Sequence, residues 1–124
     1  ALSLGEVAIH LGEVERATTL LAESLASFRK WDDSLGIARC VIMFADLRQA
    51  QGEIMQAARL LGFVEVWLES NQLQFVFFDH TNYARGVAAA RSQLNEATFT
   101  AAWEEGRATT IEQAIEFALE TTHE

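Results

Sequence analysis

Apolar residues recur along this chain with a helical period for most of its length. Val14, Ala17, Thr18, Leu21, Leu25 and Phe28 fall on one face of a helix over about 13–29. Their spacing of three and four residues aligns them on one side of a 3.6-residue turn. Ile54, Ala57, Leu61, Val64 and Leu68 do the same for a helix over about 53–69. Between these two, the stretch over about 34–51 is apolar almost all round, from Ile37 through Val41, Ile42, Phe44 and Leu47. A helix with no polar face is one buried on several sides.

The last third is patterned differently. Asp79 is placed to cap a helix carrying Tyr83, Val87, Ala90 and Leu94, and Asn95 to cap another with Phe99, Ala102, Trp103 and Gly106 on one face. Thr110 and Gln113 have the spacing of a capping box, in which each side chain satisfies the other residue's backbone N–H. That box opens a final helix with Ile111, Ala114, Ile115, Ala118 and Leu119 inside. Glu112, Glu116, Glu120 and Glu124 run along its outer side, where a like-charged stripe reads as a solvated face. The pattern predicts an all-α fold of about seven helices with no strand. The chain has no proline, which suits long helices that an internal proline would break.

Two segments repeat forty residues apart. Leu11-Gly12-Glu13-Val14-Glu15-Arg16-Ala17-Thr18-Thr19-Leu20-Leu21 returns as Gln51-Gly52-Glu53-Ile54-Met55-Gln56-Ala57-Ala58-Arg59-Leu60-Leu61. Gly, Glu, Ala and both Leu keep their places. Glycine suits a tight interhelical turn, and the Glu after it suits the positive end of the next helix. The repeat predicts two copies of one helix–turn–helix unit, with equivalent turns at Gly12 and Gly52. It divides a single helical domain over 1–124 into a first partial repeat (1–31), a second repeat (32–70) and a C-terminal helical cap (71–124).

A Gly-Glu turn followed by Ala and a Leu pair resembles the tetratricopeptide repeat, in the longer-helix variant of MalT-like proteins. The tail Ala101-Ala102-Trp103-Glu104-Glu105-Gly106-Arg107-Ala108, with Thr110-Ile111-Glu112-Gln113-Ala114-Ile115 and Ala118-Leu119, resembles the C-terminal end of bacterial LuxR-type and related ATPase-coupled transcriptional regulators. The resemblance implies a right-handed stack of antiparallel helix pairs, an α-solenoid. It also implies a place beside nucleotide-binding and DNA-binding modules carried elsewhere in a longer protein. The segment Asn71 to Phe78 lacks the Pro and Gly common in that family's linker, and 79–94 carries no clear repeat signature.

Charge and composition narrow the function. Eighteen acids against nine bases give a net charge of −9. The bases are scattered, and the single adjacent pair, Arg29-Lys30, runs into Asp32 and Asp33. Nucleic-acid affinity needs clustered Lys and Arg against phosphate, so direct binding of DNA or RNA is not expected. No apolar run approaches the length of a membrane span. The opening residues have no Met and no signal-peptide pattern, and read as the middle of a helical region, hence as a fragment of a larger protein. A lone cysteine, Cys40, suits a reducing cytoplasm.

No chemistry announces itself. There is no GxxxxGK[ST] phosphate loop, and His10, His80 and His123 have no metal-ligand spacing. Cys40 reads as a small buried hydrophobe. The neighbouring carboxylates Asp32-Asp33 and Glu104-Glu105 point apart on a helix. Phe99 and Trp103, four residues apart, fit core filling better than a stacking platform, and Trp67 reads the same way. Trp31 falls at a helix end among charges. Catalytic, cofactor and metal sites are therefore not expected. Leu73 to Phe78, apolar and uncharged apart from one Gln, reads as a plug packed under the next helix, with a homodimer seam as the alternative.

In a stack of helix pairs the first helices line an inner groove. By that analogy Arg39, Ile42, Asp46 and Gln49 face the groove, with Glu6 and His10 in comparable places in the first partial repeat. A mixed polar and apolar strip suits a peptide or protein segment. The expected function is a non-catalytic interaction or scaffold domain of a cytoplasmic transcriptional regulator, its partner a protein, a peptide or another domain of the same chain. Alternatives are a stand-alone adaptor and an effector-sensing domain with a ligand between helices near Trp103 and Tyr83.

Overall fold

The computed structural model describes the backbone of residues 4–71 and 80–120 and the side chains of 13–71 and 80–119. Among the described residues there are six helices and no strand: α1 (Leu4–Lys30), α2 (Ser34–Ala50), α3 (Ile54–Ser70), α4 (His80–Gln93), α5 (Glu96–Arg107) and α6 (Ile111–Glu120). The chain is all-α, as its periodicity predicts.

Among the described residues, α1 runs unbroken through Gly12, where the repeat predicts a turn between two helices. A glycine inside a helix costs about 1 kcal/mol but does not compel a turn. Gly52, by contrast, has φ +81°, and the turn closes around it. Its N–H donates to the Gln49 carbonyl at 3.0 Å, and the Glu53 N–H donates to the Arg48 carbonyl at 2.8 Å. These bonds satisfy carbonyls that the end of α2 would otherwise leave open.

The structural counterpart of Gly52 lies twenty residues earlier, at Asp32. There Asp32 N–H donates to the Arg29 carbonyl at 3.2 Å and Asp33 N–H to the Phe28 carbonyl at 2.8 Å. Asp32 is the one non-glycine with positive φ among the described residues, at +55°. Asp33 then caps α2, its Oδ1 accepting from Gly36 N–H at 3.0 Å.

The periodic faces are buried as expected. Val14 and Leu25 of α1 join the core with Leu21 and Phe28 at its edge. Phe99, Ala102, Trp103 and Gly106 are the buried residues of α5, and Ala114, Ile115 and Ala118 of α6 are sealed. Asn95 accepts from Thr98 N–H at 2.8 Å. The Thr110–Gln113 box closes in both directions, at 3.1 and 3.2 Å.

One helix is more enclosed than its face predicts. In α3 the buried set runs Ala57, Ala58, Leu60, Leu61, Gly62, Phe63, Val64, Trp67 and Leu68, because α2, α4, α5 and α6 all pack on it. The closest approach is to α5. A Cβ on Gly62 would fall 3.1 Å from the Trp103 carbonyl carbon, and one on Gly106 would fall 2.8 Å from that of Arg59. The two backbones touch with no side chain between them. Since 103 lies opposite 62 and 106 opposite 59, α5 runs antiparallel to α3. In a regular stack of hairpins, alternate helices run parallel.

The last helix also leaves a linear order. α6 packs on α2 and α3, and Glu112 makes an ion pair with Arg29 of α1. A simple stack would set α6 beside only its neighbours in sequence. Here it returns to pack across α2 and α3 with Ala114, Ile115 and Ala118 buried.

Candidate functional site

On α2 the exposed residues between the two turns are Arg39, Met43, Asp46 and Ala50. Their intervals of four, three and four residues make one strip along the helix. Met43 is 54% exposed, an apolar side chain set between an Arg and an Asp. Leu20 of α1 is 57% exposed. Nine residues separate it from Arg29, a half-turn on the helix wheel, so it lies on the flank of α1 away from α6. Met43 is likewise well round α2 from Arg48, which meets α6. Leu20 and Met43 are thus both exposed residues of the first hairpin.

Two of the four expected groove residues are placed elsewhere. Ile42 is 5% exposed and belongs to the core. Gln49 is half-buried and turned to α4, its Nε2 donating to the Gly86 carbonyl at 2.9 Å, while Gln93 Nε2 donates to Gln49 Oε1 at 3.4 Å. The physical reason is α4, which lies along that flank of α2 and shifts the open strip round by one residue. Arg39 and Asp46 remain on the strip. Partial desolvation raises the pKa of Asp46, solvent-exposed as it is, and the Arg85 charge on α4 lowers it part of the way back. The side chains of Glu6 and His10, and the segment Leu73 to Phe78, lie outside the described residues, as do Asp79 and His123.

A second concavity opens between the start of α3, the end of α5 and α6. It is a shallow, open cleft of about 470 Å³ with Arg59, Glu105, Thr109, Gln113 and Phe117 among its walls. Arg59 is already engaged there. Its Nε and Nη2 both donate to Glu105 Oε2, and its guanidinium lies 4.5 Å over the Phe117 ring.

Around Trp103, polar contacts run between α3 and α5. Trp103 Nε1 donates to Glu65 Oε1 at 3.3 Å. Arg107 bonds Glu65 and also reaches both carboxylate oxygens of Glu69, each at 3.2 Å. Burial raises the Tyr83 hydroxyl well above its ordinary pKa, helped by the Glu65 charge. Phe99 and Trp103 stack at 5.4 Å between ring centres, filling core as their spacing predicts.

Cys40 is buried, and burial alone pushes its thiol up to about 11. It is held as a neutral thiol, the opposite of the low-pKa setting of a nucleophile. Among the described residues no three His, Cys, Asp or Glu stand together to hold a metal ion. Likewise, no helix among them is long and apolar enough to cross a membrane. Trp31 is 76% exposed, with the Lys30 ammonium 5.9 Å from its ring centre.

One functional-looking residue escapes the sequence patterns. Arg48 is 1% exposed. Its Nη1 donates to Gln51 Oε1 at 2.7 Å and its Nη2 to the Ala118 carbonyl at 3.3 Å, while its Nε has no partner. Burial lowers its pKa, and the Glu53 charge raises it again. The one sequence signal is an Arg on the apolar side of α2, in line with Ile37, Val41 and Phe44. What that Arg meets, the end of α6, is seventy residues away. With this geometry in hand, comparison with known proteins adds no relative: neither a family model, nor a curated protein, nor a solved structure matches this chain.

Proposed function

We propose that this domain works by holding a protein segment rather than by chemistry, as the helical interaction arm of a larger regulator. The observation that carries the reading is the open strip of α2, where exposed Met43 sits between Arg39 and Asp46. A helix otherwise buried on several sides keeps this one line open, flanked by α1 and α4. An apolar anchor between opposite charges suits a peptide that offers one apolar side chain and two polar contacts. The hairpins α1–α2 and α2–α3, with their matching turns at Asp32 and Gly52, support a tetratricopeptide-like reading of the first half. The setting in a bacterial, cytoplasmic LuxR-type regulator rests on the sequence resemblance alone.

The test is site-specific photo-crosslinking in the source cells. A benzophenone side chain at Met43 is expected to capture one defined protein or one other domain of the same chain. The same group at exposed Glu104 on α5 is expected not to capture it. Equal labelling from both positions would reject the strip as a docking surface.

A further inference from the structure

The seat of α6 raises a question separate from the α2 strip. We propose that α6 is an exchangeable helix, and that its seat on α1–α3 also accepts the α6 of a second copy of this chain, giving a helix-swapped dimer.

Four observations converge on α6. First, it has ten residues, below the length at which a helix stands alone in water. Its folded form is therefore maintained by its seat. Second, the part of its face that is fully sealed is small: Ala114, Ile115 and Ala118 are buried, while the larger Ile111, Phe117 and Leu119 pack on the core only partly buried, so each buries less than its full apolar area.

Third, the seat contains a buried cation. With α6 in place, the Arg48 guanidinium is 1% exposed, shares one N–H with the Ala118 carbonyl, and has its Nε unmet. Docking strips water from a charge, and lifting α6 returns it. The outer tie is the Arg29–Glu112 pair, whose side chains are 48% and 57% exposed, so it holds weakly. Fourth, α6 is loosely joined to the helix it follows. Only Ala108, Thr109 and Thr110 separate it from α5, its packing is against α2 and α3, and the open cleft at Arg59 and Phe117 lies between the two helices.

The contacts that hold α6 thus come from elements other than its own neighbour in sequence. The same helix from a second copy makes the same contacts, and the exchange closes as a symmetric pair. The dimer needs no new surface. Each copy loses one α6 from its seat and gains an identical one.

The experiment mixes two single-cysteine chains, both with Cys40→Ser: one carries Arg29→Cys, the other Glu112→Cys. Both substituted positions are exposed, and circular dichroism checks that each chain keeps its helicity. The mixture is concentrated, equilibrated and treated with a short bismaleimide. In a swapped dimer the two thiols come from different chains and lie side by side. The mixed crosslinked dimer should then exceed either like-with-like dimer by at least about tenfold, because held thiols meet at an effective concentration of order mM. As a second measurement, light scattering on the unsubstituted chain should show a dimer that grows with concentration. Mixed and like-with-like crosslinks in statistical proportion, or a monomer at every concentration, would overturn the proposal. Neither outcome bears on whether Met43 contacts a partner.

Discussion

Gly106 is the residue with least room to change. A Cβ there would stand 2.8 Å from the Arg59 carbonyl carbon and 3.0 Å from the Phe63 nitrogen, and backbone cannot step aside as a side chain can. We expect Gly106→Ala to cost about 2–3 kcal/mol as overpacking, seen as a fall in Tm of roughly 8–12 °C. An unchanged Tm would mean that α3 and α5 are less close than described. Asp32 offers the opposite case. Its φ of +55° is a conformation that glycine adopts freely and other residues adopt at a cost. Asp32→Gly is expected to stabilise the chain by about 0.5 kcal/mol, because relief of strain exceeds the added entropy of the unfolded glycine. Chemical denaturation with an unchanged slope would register this as a higher midpoint.

At the scale of elements, the two hairpin turns show how different residues reach one geometry. Asp32 and Gly52 occupy the same place in the same hydrogen-bond pattern, while Gly12, which matches Gly52 in sequence, lies inside a helix. Local bonding decides where a helix stops, and a glycine only permits it. The start of α6 is decided locally in the same way, by the reciprocal Thr110–Gln113 bonds. Removing the hydroxyl with Thr110→Ala should cost about 1 kcal/mol. Because α6 is short and depends on its seat, the loss should be concentrated there. Hydrogen exchange of α6 amides should speed up roughly fivefold, the factor corresponding to 1 kcal/mol, while α3 amides change little. An equal acceleration in α3 would show that α6 opens only with the whole fold.

For the whole molecule, the layout of charge matters more than its total. Arg29–Glu112, Arg59–Glu105 and Arg107 with Glu65 and Glu69 tie α1 to α6 and α3 to α5, so much of the basic complement serves interhelical contacts. Asp46 stands apart, beside α4 on the open strip. Partial desolvation raises its pKa above the ordinary 3.8, with Arg85 opposing. The folded chain therefore holds that proton more tightly than the unfolded chain does. The resulting stabilisation is fully present below the unfolded pKa and is lost as pH rises through the higher folded value. At neutral pH the ionised carboxylate is a net cost. Asp46→Asn should then raise Tm near pH 7 and make little difference below about pH 3, where the Asp carboxyl is protonated in both the folded and the unfolded chain. A gain that persisted unchanged into acid would remove Asp46 titration as the cause.

Periodicity and caps alone determined that the chain is helical, where α2, α3, α5 and α6 lie, and which faces of α1, α5 and α6 turn inward, because those features depend on residues three or four apart. The roles of Asn95 and of the Thr110–Gln113 box were legible for the same reason. The tertiary structure decided the rest. A residue's local pattern does not say which neighbour will cover it, so Ile42 and Gln49 passed from an expected groove to the core and to α4. The bare backbone contacts of Gly62 with Trp103 and of Gly106 with Arg59 join residues 41 and 47 positions apart, and Arg48 is buried under Ala118 seventy positions away. Such contacts arise only when helices choose partners by shape, and that choice is made among surfaces rather than along the chain.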